Sequence, residues 1–359
     1  EIVFGTRFGE IHVLNHDGTP VPGWPVNIGS MPYDAPVAVG DLSGGGVPTI
    51  VAGSSDGLVH AFRADGTPVP GWPVTMDEAA NVFVSIGALG PPYPRYVVAL
   101  CGHEIRAMRW DGQDVSPAWG TFTDVFTRPA AIGDVDDDGT VEIVTLSSSW
   151  LHVRSLTQGS VKFFRNFLGE TFSDAPTLAD LDADGKLEIA APTAAGKLHV
   201  LNYDGSSFSA AWPLTLPSGS ALTGVAFANI LGNAEPELVF AEQDNGLVHI
   251  RYWNNVEQSS FPKVSGSTAL FMPPMISPVN ISGANVNIGT TGISTHTAQS
   301  WRNLGMVPTG WPKNLPGPVE ETFAAGDIDL DGRNELVVLG VDFVTVLDVG
   351  VAPTTKIGR

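Results

Sequence analysis

A chain of 359 residues with a formal net charge of −20 repels nucleic acid and anionic membrane surfaces, and no apolar run in it is long enough to span a bilayer. Its single cysteine, Cys101, excludes an internal disulfide framework and a thiolate metal cluster, and the setting "YVVALCG" makes it a small buried hydrophobe. With 43% apolar residues, 41 glycines, 28 prolines and 16% charged residues, the composition is that of many short strands and tight turns rather than of helices.

The chain opens on "EIVFGT", a strand already under way, with no basic-then-apolar leader before it. Apolar strands that follow an acidic loop, or a degraded form of one, start at residues 1, 49, 96, 142, 187, 237, 286 and 335, a period of about 48 residues. Each repeat reads alike. A first strand such as "PVAVGDL" (36–42) runs into the loop, and a second, "TIVAGSS" (49–55), leaves it. A glycine turn leads to a third, "GLVHAFR" (57–63), and an Asp-Gly turn to a fourth, "PGWPV" (70–74). The pairs Asp17-Gly18, Asp65-Gly66, Asp111-Gly112 and Asp204-Gly205 predict hairpins in which both turn residues take positive φ.

Four antiparallel strands per repeat, with no helical stretch, predict an all-β fold: one β-propeller domain over 1–359. The second strand occurs eight times and the first only seven, because Glu1 aligns with the last position of an acidic loop. Eight blades are favoured and seven are the alternative. The N-terminus reads as cut within a repeat, with other domains of a longer chain around it, or the tail "APTTKIGR" supplies a closing strand.

The segments "GDVDDDGTVEIV" (133–144), "ADLDADGKLEIA" (179–190) and "GDIDLDGRNELV" (326–337) resemble the FG-GAP/VCBS repeat family, found in integrin α-subunit propellers and in many secreted bacterial proteins. The resemblance covers essentially the whole chain and implies a propeller in a secreted or cell-surface protein. The fourth-strand tryptophans of "PGWPV", "AAWPL" and "TGWPK" resemble instead the docking tryptophan of quinoprotein-type propellers.

The acidic loops carry the clearest chemistry. A hard dication takes six to eight oxygens at about 2.3–2.6 Å, and the pattern D-x-D-x-D-G-x-x-E aims alternate side chains at one centre. The glycine permits the sharp turn, the position after it offers a carbonyl, and the glutamate returns from the next strand. By this logic and by the family's pattern, the sets are Asp134, Asp136, Asp138 and Glu142; Asp180, Asp182, Asp184 and Glu188; and Asp327, Asp329, Asp331 and Glu335. The carbonyls of Thr140, Lys186 and Arg333 complete them. Calcium, at about three sites, is expected rather than magnesium, which holds its waters, or zinc, which prefers histidine and cysteine. The degraded loops at 41–51 and 87–95 are expected to be metal-free, and the one at 229–237 keeps Asn229, Asn233 and Glu237 as oxygen donors.

Six histidines are aligned at one place in the third strand: His12, His60, His152, His199, His249 and His296, with Arg106 and Thr345 at that place in the other repeats. Third-strand side chains of different blades do not converge, so these are expected to be structural. Trp24, Trp72, Trp119, Trp212 and Trp311 read as one core anchor per blade, while the less regular Trp110, Trp150, Trp253 and Trp301 read as exposed.

The variable fourth-to-first connections hold Tyr33, Asp34, Phe126, Phe172, Asp174 and Phe271, which are expected to ring the mouth of the central channel and to form the ligand-binding site. Aromatics beside carboxylates suit sugar faces or peptide side chains. No nucleophile–histidine–acid grouping, phosphate loop or cofactor signature is legible. The expected function is therefore a calcium-stabilised binding module for carbohydrate or protein. A calcium-dependent polysaccharide lyase and a purely structural scaffold are the alternatives.

Overall fold

The computed structural model describes residues 1–6, 8–29, 37–88, 95–117, 119, 122–232, 235–265, 274–278, 286–292, 296–302, 304–308, 311–317, 319–331, 333–340 and 343–348. Their strands form eight small antiparallel sheets, each meandering from one strand to the next in sequence. Sheet 1 contains Ile2–Gly5, Glu10–Leu14 and Val26–Asn27, and sheet 2 contains Ala38–Gly40, Thr49–Gly53, Leu58–Arg63 and Val74–Thr75. Sheet 3 contains Val82–Ala88, Arg95–Cys101 and Glu104–Met108. Sheet 4 contains Ala131–Gly133, Glu142–Ser147, Trp150–Ser155 and Val161–Asn166, and sheet 5 contains Thr177–Ala179, Glu188–Pro192, Lys197–Leu201 and Leu214–Thr215. Sheet 6 contains Ala226–Ala228, Glu237–Ala241, Leu247–Arg251 and Lys263–Val264. Sheet 7 contains Met275–Pro278, Val286–Gly292, Thr297–Arg302 and Lys313–Asn314, and sheet 8 contains Val319–Gly326, Glu335–Gly340 and Val344–Asp348.

First strands of successive sheets touch, as between sheets 2 and 3, 3 and 4, 4 and 5, 6 and 7, and 7 and 8, so they converge on a common axis. Apolar clusters fill the space between consecutive sheets. Trp24 and Ile11 of sheet 1 meet Ile50 and Phe62 of sheet 2, and Leu198 of sheet 5 meets Phe240 of sheet 6. The ring closes where Ile2 and Leu14 of sheet 1 pack with Val337 of sheet 8. Second strands such as Glu188–Pro192 and Glu237–Ala241 are buried along their whole length because neighbouring blades cover both faces.

The propeller expectation holds, but the blade count needs correction. Among the described residues seven sheets begin with an inner strand, which makes seven blades, the alternative rather than the favoured eight. Among the described residues sheet 1 starts at the second position with no inner strand, so it is a partial sheet that closes the ring. The tail offered as a closing strand lies outside the described residues.

The Asp-Gly turns also differ from expectation. Only the glycine takes positive φ, as at Gly66 (79°) and Gly112 (77°). The aspartate instead accepts from the backbone two residues on, as Asp65 Oδ1 does from the Thr67 amide at 3.0 Å. These turns clasp neighbouring blades. A Cβ on Gly71 would stand 2.0 Å from the Asp111 carbonyl oxygen, so only glycine admits the approach.

Candidate metal centres

Each full acidic loop closes on itself in the same way. Backbone amides of the turn donate to the first aspartate: Asp138 N and Gly139 N to Asp134 at 3.1 and 2.9 Å, and Asp184 N and Gly185 N to Asp180 at 3.2 and 3.0 Å. In the third loop Asp331 N donates to Asp327 Oδ1 at 3.0 Å. The fourth loop residue takes the left-handed conformation, with φ of 56° at Asp137, 61° at Ala183 and 63° at Leu330. The closing glutamate folds back to accept from the second loop residue, as Glu142, Glu188 and Glu335 do from Val135, Leu181 and Ile328 at 3.0, 2.8 and 3.0 Å.

This geometry gathers three carboxylates per loop. Oxygens of Asp134, Asp136 and Glu142, of Asp180, Asp182 and Glu188, and of Asp327, Asp329 and Glu335 lie within 4.8 Å of one another. Oxygens sharing one ion at about 2.4 Å lie no more than about 4.8 Å apart, so each donor set could hold a metal ion. The third aspartates, Asp138, Asp184 and Asp331, fall outside these groups; each accepts from the backbone amide of Thr140, Lys186 or Arg333 at 2.8, 2.8 and 2.9 Å.

The loops differ in charge balance. Glu188 is 3% exposed, and burial followed by the charges of Asp182, Asp184 and Asp180 pushes its carboxyl up to about 7. Burial likewise raises Glu335, with Asp329, Asp331 and Asp327 adding to it. Burial also raises Glu142, but there the nearby Lys162 charge opposes it. Lys162 Nζ lies 2.8 Å from Asp136 Oδ2 and 2.5 Å from Asp138 Oδ2, and these hydrogen bonds raise its own pKa. Asp138 is held down to about 2, first by Lys162 and then by Thr140. In the degraded loops, Asp41 accepts from Gly44 N and Gly46 N at 2.8 and 2.6 Å, and Asn229 from Gly232 N at 2.7 Å. Asn233 lies outside the described residues, and Glu237 is buried with one carboxylate oxygen bonded to the Ile230 amide.

The third-strand histidines are held within or beside their own blades. His249 is flanked by Glu242 and Glu257, each 3.0 Å from a ring nitrogen, and stacks on Phe240. His199 meets Glu170 at 2.6 Å, and His12 lies against Phe4 and Glu10. Burial lowers the pKa of His60 and takes that of His152, which stacks on Trp150, to about 4. His296 does not belong to the set. It occupies an exposed turn at positive φ, and Gln299 takes the third-strand place opposite Thr290, as His152 does opposite Thr145.

The tryptophans are buried anchors and also donors. Trp24, Trp72, Trp119 and Trp212 give their Nε1–H to the carbonyls of Ala64, Trp110, Ser155 and Trp253 of the next blade, at 2.9, 3.0, 3.3 and 2.8 Å. Trp110 and Trp253 are exposed as expected, but Trp301 is buried in the cluster between sheets 6 and 7.

The expected ligand ring is not a ring of free side chains. Phe126 is 2% exposed and packs edge-on against Phe122, and Phe172 packs edge-on against Phe167. Phe126, Phe172 and Leu222 each bridge the end of a second strand, at Ser147, Thr193 and Glu242, so their recurrence marks a core position. Asp174 accepts from the Gly224 and Ala175 amides, both at 2.7 Å, and ties two blades together. Tyr33, Asp34 and Phe271 lie outside the described residues.

No protein-family model matches this chain, and no curated protein matches its sequence. Its fold is similar to that of many solved structures. BamB from Moraxella catarrhalis shares 16% identity, with 96% of this chain and 89% of that one covered and a TM-score of 0.59. Sqt1 of Saccharomyces cerevisiae shares 14%, covering 98% and 93%, with a TM-score of 0.61. BBS1N, solved in complex with ARL6DN, shares 13%, covering 95% and 96%, with a TM-score of 0.58. At this identity the likeness shows the β-propeller fold and nothing finer.

Proposed function

We propose that this chain is a calcium-stabilised propeller serving as a binding module of a secreted or cell-surface protein, with carbohydrate or protein as its ligand. The observation that carries the metal reading is the convergence of three carboxylates at the same place in three blades, at spacings that oxygens sharing one calcium can have. Bound calcium would supply the positive charge that lets a buried glutamate ionise beside aspartates. This chain's own residues do the rest: turn amides orient Asp180 and Asp327, and the second-residue amides of Leu181 and Ile328 aim Glu188 and Glu335 into the loop. Loops held at the ends of a rigid ring need little reorganisation on binding a partner. BBS1N, of similar fold and solved with ARL6DN, is one case of such a ring meeting a protein. A binding role is favoured over a lyase because the buried histidines are engaged with carboxylates and rings of separate blades.

Thermal melting with calcium and with excess chelator, joined to elemental analysis, tests the metal reading. Melting should rise with calcium, and an identical melting temperature in chelator with no metal present would overturn it. A glycan array combined with a lyase assay tests the rest: binding without cleavage is expected, and release of an unsaturated sugar end would replace the binding module by an enzyme.

A further inference from the structure

Among the described residues, one of the three acidic loops has a lysine ammonium set among its carboxylates. Lys162 Nζ lies 2.8 Å from Asp136 Oδ2, 2.5 Å from Asp138 Oδ2 and 3.6 Å from Glu142 Oε1. It therefore contacts two of the three carboxylates that converge in loop 134–142, and the third, Asp134, is engaged by the Asp138 and Gly139 amides. Lys162 is aimed there by its strand. In sheet 4 the fourth strand runs six residues, Val161–Asn166, whereas in sheet 5 it runs two, Leu214–Thr215. The longer strand reaches the acidic-loop end of the blade, where Val161 pairs with Arg154. The register shifts there: Phe163 pairs with Val153 and Val161 with Arg154, which leaves Lys162 as the extra residue of a bulge. A bulge re-aims the side chain it carries. In loop 180–188 the nearest comparable lysine, Lys186, points away and lies 4.3 Å over the Tyr203 ring.

Resting on the calcium reading above, we infer that loop 134–142 is a site in which Lys162 replaces the metal: its ammonium neutralises the carboxylates from within the chain, and calcium is confined to loops 180–188 and 327–335. An ammonium and a dication cannot share so small a cluster, because like charges a few ångströms apart repel strongly in a half-buried setting. Sheet 4 then keeps its loop closed without calcium, and the other two blades depend on it.

The test is the number of calcium ions bound per chain, by equilibrium dialysis and elemental analysis, in the wild type and in Lys162→Met, Asp136→Asn and Asp182→Asn. Two ions are expected in the wild type, three in Lys162→Met, two in Asp136→Asn and one in Asp182→Asn. Three ions in the wild type, or two in a folded Lys162→Met, overturns the inference and leaves the calcium reading standing. Should Lys162→Met not fold, Asp136→Asn decides in its place, since a loss of one ion there shows that loop 134–142 holds metal in the wild type. No ion bound by any variant overturns the calcium reading, and the inference falls with it.

Discussion

Replacing Trp72 by phenylalanine tests whether the fourth-strand tryptophans join the blades as donors as well as filling the core. Trp72 is 7% exposed, packs in the cluster between sheets 2 and 3, and donates to the Trp110 carbonyl at 3.0 Å. The smaller ring gives up roughly 40 Å² of buried apolar surface, about 1 kcal/mol at about 25 cal/mol per Å². The Trp110 carbonyl loses this donor at the blade boundary, about another 1 kcal/mol. The void left by partial relaxation adds about 0.5–1 kcal/mol. The sum, about 2–3 kcal/mol, should appear as a lower urea midpoint at unchanged slope, and as a fall in melting temperature of about 3–4 °C for a chain of this size. Trp110→Ala is the internal control. That side chain is 41% exposed, and its residue contributes the carbonyl, which alanine retains, so the change should cost less than about 1 kcal/mol. If the two substitutions cost the same, or Trp72→Phe stays within about 0.5 kcal/mol of wild type, the clasp is not what holds these blades together.

Phe126→Ala removes a side chain that is 2% exposed and should destabilise by about 3–5 kcal/mol in urea unfolding, whereas Phe164→Ala, at 60% exposed, should cost under about 1 kcal/mol. Asp174→Ala frees the Gly224 and Ala175 amides and should cost about 1–3 kcal/mol without altering the count of bound calcium, as elemental analysis will show. His152 titrates near 4 in the fold against about 6.5 unfolded, so the unfolded chain binds the extra proton between those values. Its contribution to stability is therefore complete above pH 6.5 and lost as the pH falls towards 4, and urea midpoints across that range should be flatter for His152→Phe. His199→Ala removes one of the two partners of Glu170, leaving Lys197 on the other oxygen, and should lower stability by about 1–3 kcal/mol, with calcium binding unchanged by dialysis.

The features that sequence alone determined are those written within one repeat. The period of about 48 residues, the four short apolar runs and the glycine turns specify a propeller, because strands joined by tight turns pair with their chain neighbours. The acidic loops were legible for the same reason: Asp180, Asp182 and Glu188 stand within nine residues, and the turn that gathers them is made by their own amides. What tertiary structure decided lies between repeats or across a sheet. Trp72 finds its acceptor 38 residues away in the next blade, at a carbonyl that no side-chain pattern marks. Phe126 and Phe172 belong to variable connections, yet each tucks under a neighbouring second strand, so connection length was a poor guide to exposure. His296 carries the right residue type three positions early, and pairing register gave its expected place to Gln299. Lys162 lies 26 residues from Asp136 with nothing local to join them; a fourth strand of six residues and one bulge bring its ammonium into a loop that, as a sequence, reads like the other two.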